Sequence, residues 1–372
     1  MKSPLDSWHV AAGAKMADFG GWDMPIEYAQ GFGPDRPGGV LAEHTAVRER
    51  AGIFDVSHLG KMSVVGKGAR AFVNSVLTND LAKVDVGQAQ YNLLCNDAGG
   101  VIDDLIVYIK SDDEIFIIPN AANCGDVVKV FQKAAPAGMT VTNLHNEYAV
   151  LAVQGPATPQ AMKALGLDLE LDYMSFTEAT IPGHEQWGSV IICRTGYTGE
   201  FGYELLPASE HALELWEALV AIVDSLDGRV CGLGSRDTLR TEMGYPLHGH
   251  ELSLDISPLQ AAAGWAVALE KETFHGQGAL RAEKSAGVAR ISRALKFSDR
   301  GIPRGGMNVL NDSGEIIGEV TSGTFSPTLK TGIALVLVKP EYKVGSNVVV
   351  DVRGRQSAAE IVKLPFVESH VR

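Results

Sequence analysis

Two adjacent carboxylates, Asp103 and Asp104, stand in the otherwise apolar stretch GGVIDDLIVYIK, residues 99–110. The stretch follows a glycine turn and is rich in Ile, Leu and Val, which predicts a β-strand, where aspartate is uncommon. Side chains alternate along a strand, so Asp103 shares the more apolar face and Asp104 shares the face that ends at Lys110. A carboxylate on an apolar face is costly unless it has a partner or lines a cavity. Asp103 therefore either lines a cavity or, as an aspartate at the end of a turn, binds the backbone of the preceding Ala-Gly-Gly; the pattern alone leaves both open and favours the turn.

The segment TGYTGEFGYELLP, residues 195–207, combines turn-forming glycines with two tyrosines and two glutamates. Glycine lets the backbone approach a ligand closely, and a tyrosine ring offers a flat face to a flat ligand. The segment therefore forms either one wall of a ligand site or a tight hairpin with an exposed acidic tip; the pattern alone leaves both open and favours the hairpin. The four side chains concerned are Tyr197, Glu200, Tyr203 and Glu204.

A third segment, residues 231–249, places Arg236 and Arg240 four positions apart in a predicted helix capped by Ser235. Like charges at this spacing disfavour a helix slightly, and a bound carboxylate or phosphate would remove the conflict. Internal pairing with Asp237 or Glu242 is the alternative. Together, the three segments suit an amphipathic heteroaromatic ligand with anionic ends.

The composition is that of a soluble globular protein, with 45% apolar and 21% charged residues among 372. No apolar run approaches the ~18 residues of a membrane helix, and the N-terminus lacks a hydrophobic signal core. We therefore expect a cytoplasmic protein that does not associate with membranes. The net charge of −13 argues against nucleic acid as a partner, because phosphate binding requires clustered Lys and Arg.

The sequence contains no motif for a catalytic metal or a nucleotide cofactor. The four cysteines are far apart and form no C-x-x-C pair, which predicts reduced thiols. The histidines of LHGHE, residues 247–251, would point to opposite sides of a strand, so joint metal ligation is disfavoured. We predict no metal site.

The order of predicted elements indicates an α+β fold followed by an all-β part. Up to about residue 280, strand-like and helix-like segments are mixed without a regular βαβ series. Beyond it, short strands separated by turn signals predict a barrel or sandwich. We therefore expect an α+β region over residues 1–280 and a β-barrel domain over residues 281–372.

Eight motifs follow one another between residues 4 and 368: ADFGGWDMPIEY, HTAVRERAGIFDVSH, GGVIDDLIVY, VQGP, TGYTGEFGYE, CGLGSRDTLR, ISPLQAAAGWAV and TSGTFSPTL. In this order they resemble the T-protein family of the glycine cleavage system, whose members are tetrahydrofolate-dependent aminomethyltransferases. The resemblance implies a three-part cloverleaf, with a ferredoxin-like part, a C-terminal β-barrel and folate in a central cavity. It also implies that the lipoylated H-protein delivers an aminomethyl group, ammonia leaves, and tetrahydrofolate becomes 5,10-methylene-tetrahydrofolate.

The resemblance also implies roles for individual side chains. The acid beside the reacting folate nitrogen falls on Asp103, and the pterin-holding carboxylate falls on Glu204, which can accept two parallel N–H bonds. Tyr197 lies beside the ring, and Arg236 holds a folate carboxylate or positions the pocket acid. The weaker candidates for the pocket wall are Tyr91, Asn120 and Tyr245.

Some positions depart from the family pattern, and other members of the scaffold offer alternative functions. His248 stands where the family often has Tyr, Gln260 stands where Glu is common, and residues 31–39 form a short insertion. Relatives demethylate amines, sulfonium compounds or aryl ethers onto tetrahydrofolate, and would share the same site. A non-enzymatic folate-binding relative that supports iron–sulfur enzymes carries a cysteine in the segment that reads TGYTGEFGYE here, where cysteine is absent.

Overall fold

A computed structural model describes residues 1–29 and 37–372 of the chain. Most of the predicted insertion, residues 31–36, lies outside the described residues. The described residues contain eight α-helices: α1 (Asp6–Ala11), α2 (Val40–Glu49), α3 (Ala69–Val76), α4 (Cys124–Ala134), α5 (Thr158–Ala164), α6 (Ala212–Ser225), α7 (Leu233–Met243) and α8 (Gln277–Ala286).

Nineteen strands of the described residues form three sheets and one closed barrel. In chain order they are β1 (Ala14–Phe19), β2 (Trp22–Tyr28), β3 (Gly52–Asp55), β4 (Met62–Val65), β5 (Ala89–Cys95), β6 (Val101–Ile109), β7 (Glu114–Ile118), β8 (Thr140–Asn143), β9 (Leu151–Gln154), β10 (Phe176–Thr180), β11 (Ser189–Cys193), β12 (Gly202–Leu206), β13 (Arg229–Cys231), β14 (Ile291–Phe297), β15 (Asn308–Leu310), β16 (Ile316–Ser326), β17 (Thr331–Val338), β18 (Asn347–Val352) and β19 (Arg355–Val362).

The first large sheet has the strand order β5-β6-β7-β4-β8, with every neighbouring pair antiparallel. Within it, β4, β6, β7 and β8 are joined through α3 and α4 in the ferredoxin-like arrangement that the resemblance implies. Leu105, Val107 and Ile109 of β6 pack with α3 and α4 in one buried cluster. The opposite face of β6 carries Ile106 and Tyr108, which pack towards the second sheet.

The second large sheet has the order β10-β11-β12-β9-β3-β13, in which only β3 and β13 pair in parallel. One face packs against α5 and α6 through a large apolar cluster that includes Trp216. The other face contributes Phe54 and Cys193 to the cluster that holds Tyr108 of the first sheet. The two sheets therefore face each other, and each presents alternate side chains of its strands to the space between them.

The C-terminal strands close into a six-stranded barrel in the order β14-β17-β16-β15-β18-β19. Its interior is filled by aliphatic side chains such as Leu295 and Val336. Helix α7 contacts the barrel, because Ser326 donates to Glu242 at 2.5 Å. The expected α+β fold with a C-terminal barrel is confirmed. The predicted division at residue 280 falls inside α8 and stays a prediction.

Candidate active site

A cavity of about 430 Å³ lies between the two sheets, and residues 245–248, His250 and Trp265 form a further part of its wall. This volume is in the range of small-molecule sites. Six of the seven predicted site residues line the cavity: Tyr91, Asn120, Tyr197, Glu204, Arg236 and Tyr245. The seventh, Asp103, does not, and its neighbour Asp104 does.

Asp103 is completely buried and faces away from the cavity. Its carboxylate accepts hydrogen bonds from the backbone N–H of Asn120 at 2.9 Å, from Nδ2 of Asn120 at 2.9 Å and from Nδ2 of Asn123 at 2.7 Å. The alternation argument assigned its face correctly, since Asp103 lies on the side of Val107. That face, however, packs on α3 and α4. Both faces of β6 are apolar, so the inference that the more apolar one borders the cavity was wrong.

Asp104 supplies the carboxylate on the wall beside Tyr91 and Asn120. Tyr91 donates its hydroxyl to Oδ2 of Asp104 at 3.1 Å, and Nδ2 of Asn120 donates to Oδ1 at 2.8 Å. Tyr91 is itself stacked on Trp265, with ring centroids 5.3 Å apart. The side chain that the strand carries into the cavity is therefore held in place from two sides.

The charge of Asp104 influences the protonation of Asp103, because the two carboxyls are adjacent, buried and joined through Asn120. Burial raises the pKa of both carboxyls, and the charge of Asp104 raises the pKa of Asp103 further. Hydrogen bonds from Tyr91 and Asn120 act in the opposite direction on the pKa of Asp104. A raised pKa makes an ionised carboxylate a better proton acceptor near neutral pH.

Glu204 provides the second carboxylate of the cavity, from strand β12. Thr195 donates its hydroxyl to Oε2 of Glu204 at 2.5 Å, which fixes the carboxylate. Burial raises the pKa of Glu204. Its chain neighbour Tyr203 points to the other side of the sheet, where its hydroxyl donates to the carbonyl of Leu169 at 3.2 Å. Because side chains alternate along strand β12, Glu204 points into the cavity and Tyr203 points into the core.

Tyr197, Arg236 and Tyr245 form an aromatic and cationic part of the wall. The guanidinium of Arg236 lies 4.3 Å from the centre of the Tyr197 ring, and the rings of Tyr197 and Tyr245 stack at 5.7 Å. The hydroxyl of Tyr197 donates to the carbonyl of Pro246. No described carboxylate forms an ion pair with Arg236, which leaves its charge available to a ligand.

The two arginines of helix α7 have different partners. Pairing with a carboxylate of the protein, one of the two readings of the sequence, is found only for Arg240. Arg240 is buried and pairs with Asp237 at 2.7 Å and with Glu251 at 2.9 Å. The helix begins after Gly232 without a side-chain cap, so the predicted capping role of Ser235 was wrong; its hydroxyl donates back to the carbonyl of Gly232.

The structure does not support the other reading of residues 195–207, a hairpin with an exposed acidic tip. Glu200 is 4% exposed and pairs with Arg48 at 2.8 Å. The glycines mainly permit close packing, because a Cβ at Gly196 or Gly202 would lie 2.0 or 2.2 Å from the side chain of Gln154. These glycines therefore bring the hairpin against β9 and place Glu204 in the cavity.

Sequence reasoning missed several cavity residues. His58 and Phe19 come from motifs that were quoted for the resemblance, but neither was assigned a role. Trp265 is 71% exposed, and an exposed tryptophan beside an apolar pocket is a signal that only a structure gives. Of the two departures from the family, His248 lines the cavity and donates from Nε2 to the carbonyl of Val101 at 3.0 Å. Gln260 lies outside the cavity and donates to Glu283 at 2.8 Å.

Three further properties concern the described residues as a whole. They contain no group of three or more His, Cys, Asp or Glu side chains placed to hold a metal ion. None of the described helices has the length and apolarity to cross a membrane. The four cysteines are buried and unpaired.

Comparison with known proteins identifies relatives along almost the whole chain. Residues 5–271 match the family model described as the GCVT N-terminal domain, and residues 291–368 match the glycine cleavage T-protein C-terminal barrel domain. The chain is 55% identical to an aminomethyltransferase of Parafrankia sp. (strain EAN1pec), covering 100% of this chain and 99% of the relative. It is 53% identical to an aminomethyltransferase of Mycobacterium avium (strain 104), covering 100% and 98%.

A solved structure agrees with these sequence relatives. It is the glycine cleavage system aminomethyltransferase T from Bartonella henselae, which superposes with a TM-score of 0.90 at 34% identity and covers 100% of this chain and 99% of its own. The similarity therefore extends over both large sheets and the barrel.

Proposed function

Because this chain belongs to the glycine cleavage T-protein family and is an aminomethyltransferase, we propose that its cavity binds tetrahydrofolate as co-substrate. The aminomethyl group arrives on the lipoyl arm of the H-protein, and the products are ammonia and 5,10-methylene-tetrahydrofolate. The observation that carries the proposal is one cavity with two fixed carboxylates, Asp104 and Glu204, and an arginine stacked on a tyrosine, Arg236 on Tyr197.

Glu204 holds the pterin edge in this proposal. The amino-pyrimidine edge of a pterin offers parallel N–H donors, which a carboxylate accepts with two oxygens. Thr195 restrains the carboxylate from behind, so little conformational entropy is lost on binding. Tyr197 offers a face to the ring, and Arg236 is positioned to balance charge or to pair with an anionic group of the ligand.

Asp104 takes the acid–base role that the resemblance had placed on Asp103. Ionised, it accepts the proton that a folate nitrogen loses on bonding to the transferred carbon. Its charge also stabilises the iminium ion that forms when ammonia leaves, as a fixed dipole or charge does in a site shielded from water. Tyr91 and Asn120 orient the carboxylate towards the cavity.

The reaction requires no metal in this proposal, and a cytoplasmic location without nucleic acid or membrane partners remains part of it. The alternatives raised by the sequence, another folate-dependent demethylase or a non-enzymatic folate-binding protein, are not favoured by relatives that are named aminomethyltransferases and are 53–55% identical.

The experiment is a reconstitution with purified components. The protein is mixed with aminomethyl-loaded H-protein and tetrahydrofolate, with a chelator present, and ammonia and methylene-tetrahydrofolate are measured. We expect both products in equal amounts, and neither when folate or the loaded H-protein is omitted. The absence of product in the complete mixture would contradict the proposed substrates, and loss of activity only with chelator would contradict the metal-free chemistry.

A further inference from the structure

His58 lines the cavity, although it is only 1% exposed and has no role in the chemistry described so far. It lies in the turn that follows β3, and the ring of Phe19 packs on it edge-on at 5.2 Å. The turn is held by two donors: Nε2 of His145 bonds the carbonyl of His58 at 2.9 Å, and Nζ of Lys61 bonds the carbonyl of Ser57 at 2.9 Å. The imidazole is therefore a fixed part of the cavity wall.

The imidazole of His58 has unused hydrogen-bonding capacity. Its Nδ1 is sealed inside the protein and has no hydrogen-bond partner among the described residues. Burial, together with the charges of Arg236 and Lys61, lowers the pKa of His58 to about 3. The ring is therefore neutral near pH 7. A neutral imidazole carries one N–H and one acceptor nitrogen.

The hydrogen-bond pattern indicates which nitrogen of His58 carries the proton. Buried N–H groups without a partner are rarer than buried acceptors without one. The proton is therefore assigned to Nε2 on network grounds, and the orphaned Nδ1 remains an acceptor. Because Nδ1 is turned into the protein, the ring edge that borders the cavity is the edge with Nε2–H.

The cavity wall beside His58 includes an apolar part, although the charge of Arg236 also acts on the imidazole. Gly20 lies against Ala121 and Ala122, where a Cβ on Gly20 would meet their Cβ atoms at 3.5 and 3.6 Å. Phe19 and Leu59 complete this end of the cavity. An alkyl chain that carries sulfur suits such a wall, whereas a pterin needs the polar partners of the Glu204 wall.

We propose that His58 contacts the lipoyl arm and that its Nε2–H donates a hydrogen bond to the sulfur from which the carbon departs. The inference rests on the proposed function. In the reaction the transferred carbon loses its bonds to sulfur and to the amine nitrogen. It forms new bonds to N5 and N10 of the folate. The two protons lost from N5 and N10 end on the sulfur and on the ammonia. The electron pair of the broken C–S bond goes to sulfur, and His58 stabilises that charge while it keeps its own proton.

The experiment compares the wild type with His58→Phe, which keeps a ring against Phe19 but removes the donor. A second variant, His58→Gln, keeps an N–H₂ donor near the position of Nε2, and His145→Gln changes the neighbouring histidine that does not line the cavity. The readouts are kcat and KM for aminomethyl-loaded H-protein at saturating tetrahydrofolate, and the Kd of tetrahydrofolate alone.

We expect His58→Phe to lower kcat by about 10²–10³, the effect of removing one donor to a developing negative charge. The Kd of tetrahydrofolate should stay within about threefold, equivalent to less than about 1 kcal/mol. His58→Gln should recover part of the lost kcat, and His145→Gln should keep most of it. The ratio of wild type to His58→Phe should not vary with pH across neutrality, because a neutral donor does not titrate there.

Three results would overturn the role of His58. One is a His58→Phe variant as active as the wild type, and another is an equal loss in His145→Gln, which would trace the effect to the shape of the turn. The third is a rise in the Kd of tetrahydrofolate that matches the loss in kcat, which would place His58 in the folate site. If His58→Phe does not fold, His58→Met is the donor-free variant. A wild type that forms no product with the loaded H-protein would refute the proposed function itself, and this inference with it.

Discussion

Asp103→Asn and Asp104→Asn should have opposite consequences, although the two residues are adjacent and the substitutions are identical. Asn keeps the shape of either side chain and removes its charge. Asp104 lines the cavity, so Asp104→Asn removes the proton acceptor and the charge opposite the iminium ion. We expect kcat to fall by about 10²–10⁴, which corresponds to about 3–5 kcal/mol of transition-state stabilisation. The affinity for tetrahydrofolate should change much less.

For Asp103→Asn the structure predicts a loss of stability first. The carboxylate of Asp103 accepts three hydrogen bonds from two asparagines, and the single oxygen of an asparagine cannot accept all of them. An unsatisfied buried donor costs about 1–3 kcal/mol. The melting temperature should therefore fall, while kcat falls less than in Asp104→Asn when both variants are assayed at a temperature where they remain folded.

The pH profile provides a second readout of the same pair. The proposed chemistry needs Asp104 ionised, so kcat should rise with pH through the pKa of this residue. The charge of Asp104 raises the pKa of Asp103, whereas burial, and not the charge of Asp103, raises the pKa of Asp104. Asp103→Asn should therefore leave the acid limb of kcat close to its wild-type position, and a clear shift of that limb would mean that Asp103 controls the protonation of Asp104. If Asp103→Asn abolishes turnover in the folded protein and Asp104→Asn retains it, the assignment from the cavity geometry is wrong.

Three further outcomes follow from the same structure. Glu204→Ala should weaken tetrahydrofolate binding about 10–150-fold, the loss of a charge-assisted hydrogen bond of about 1.5–3 kcal/mol, in a fluorescence titration; equal binding by wild type and variant would move the pterin clamp elsewhere. Arg240→Met leaves Glu251 buried without its arginine and should cost about 3–5 kcal/mol of stability, measured by denaturant unfolding; an unchanged midpoint would mean that this ion pair is dispensable. The pKa of Asp103 is higher in the folded than in the unfolded protein, so its contribution to stability is present at low pH and lost as pH rises through the folded pKa. The free energy of unfolding of the wild type should therefore fall relative to that of Asp103→Asn as pH rises. A difference between the two free energies that does not vary with pH would contradict the raised pKa.

The fold could be predicted from the sequence wherever local pattern and three-dimensional structure agree. The late run of short strands with turn signals predicted the barrel, and β6 lies within the segment of residues 99–110 that was predicted as a strand. Helix boundaries were less accessible, since α7 begins at Leu233 without the serine cap that its sequence suggested. The pairing of strands from distant parts of the chain, such as β3 with β13, carries no local signal.

The site could be predicted as a set of residues but not as a geometry. The glycine-rich segment identified Tyr197 and Glu204, and the resemblance added Tyr91, Asn120 and Tyr245. Alternation along β6 separated the two aspartates correctly. It could not indicate which face borders the cavity, because a sheet with helices on one side and a second sheet on the other is apolar on both.

The arrangement around Asn120 explains why one strand carries two consecutive carboxylates. Consecutive residues of a strand point to opposite faces, so a strand that places Asp104 in the cavity places its neighbour Asp103 behind the sheet. Asn120 follows the adjacent strand β7 and reaches both, donating from Nδ2 to each carboxylate. Because both carboxylates accept from Nδ2, the orientation of the Asn120 amide is fixed. Asp103 is therefore linked through Asn120 to the wall of a cavity that it does not line itself.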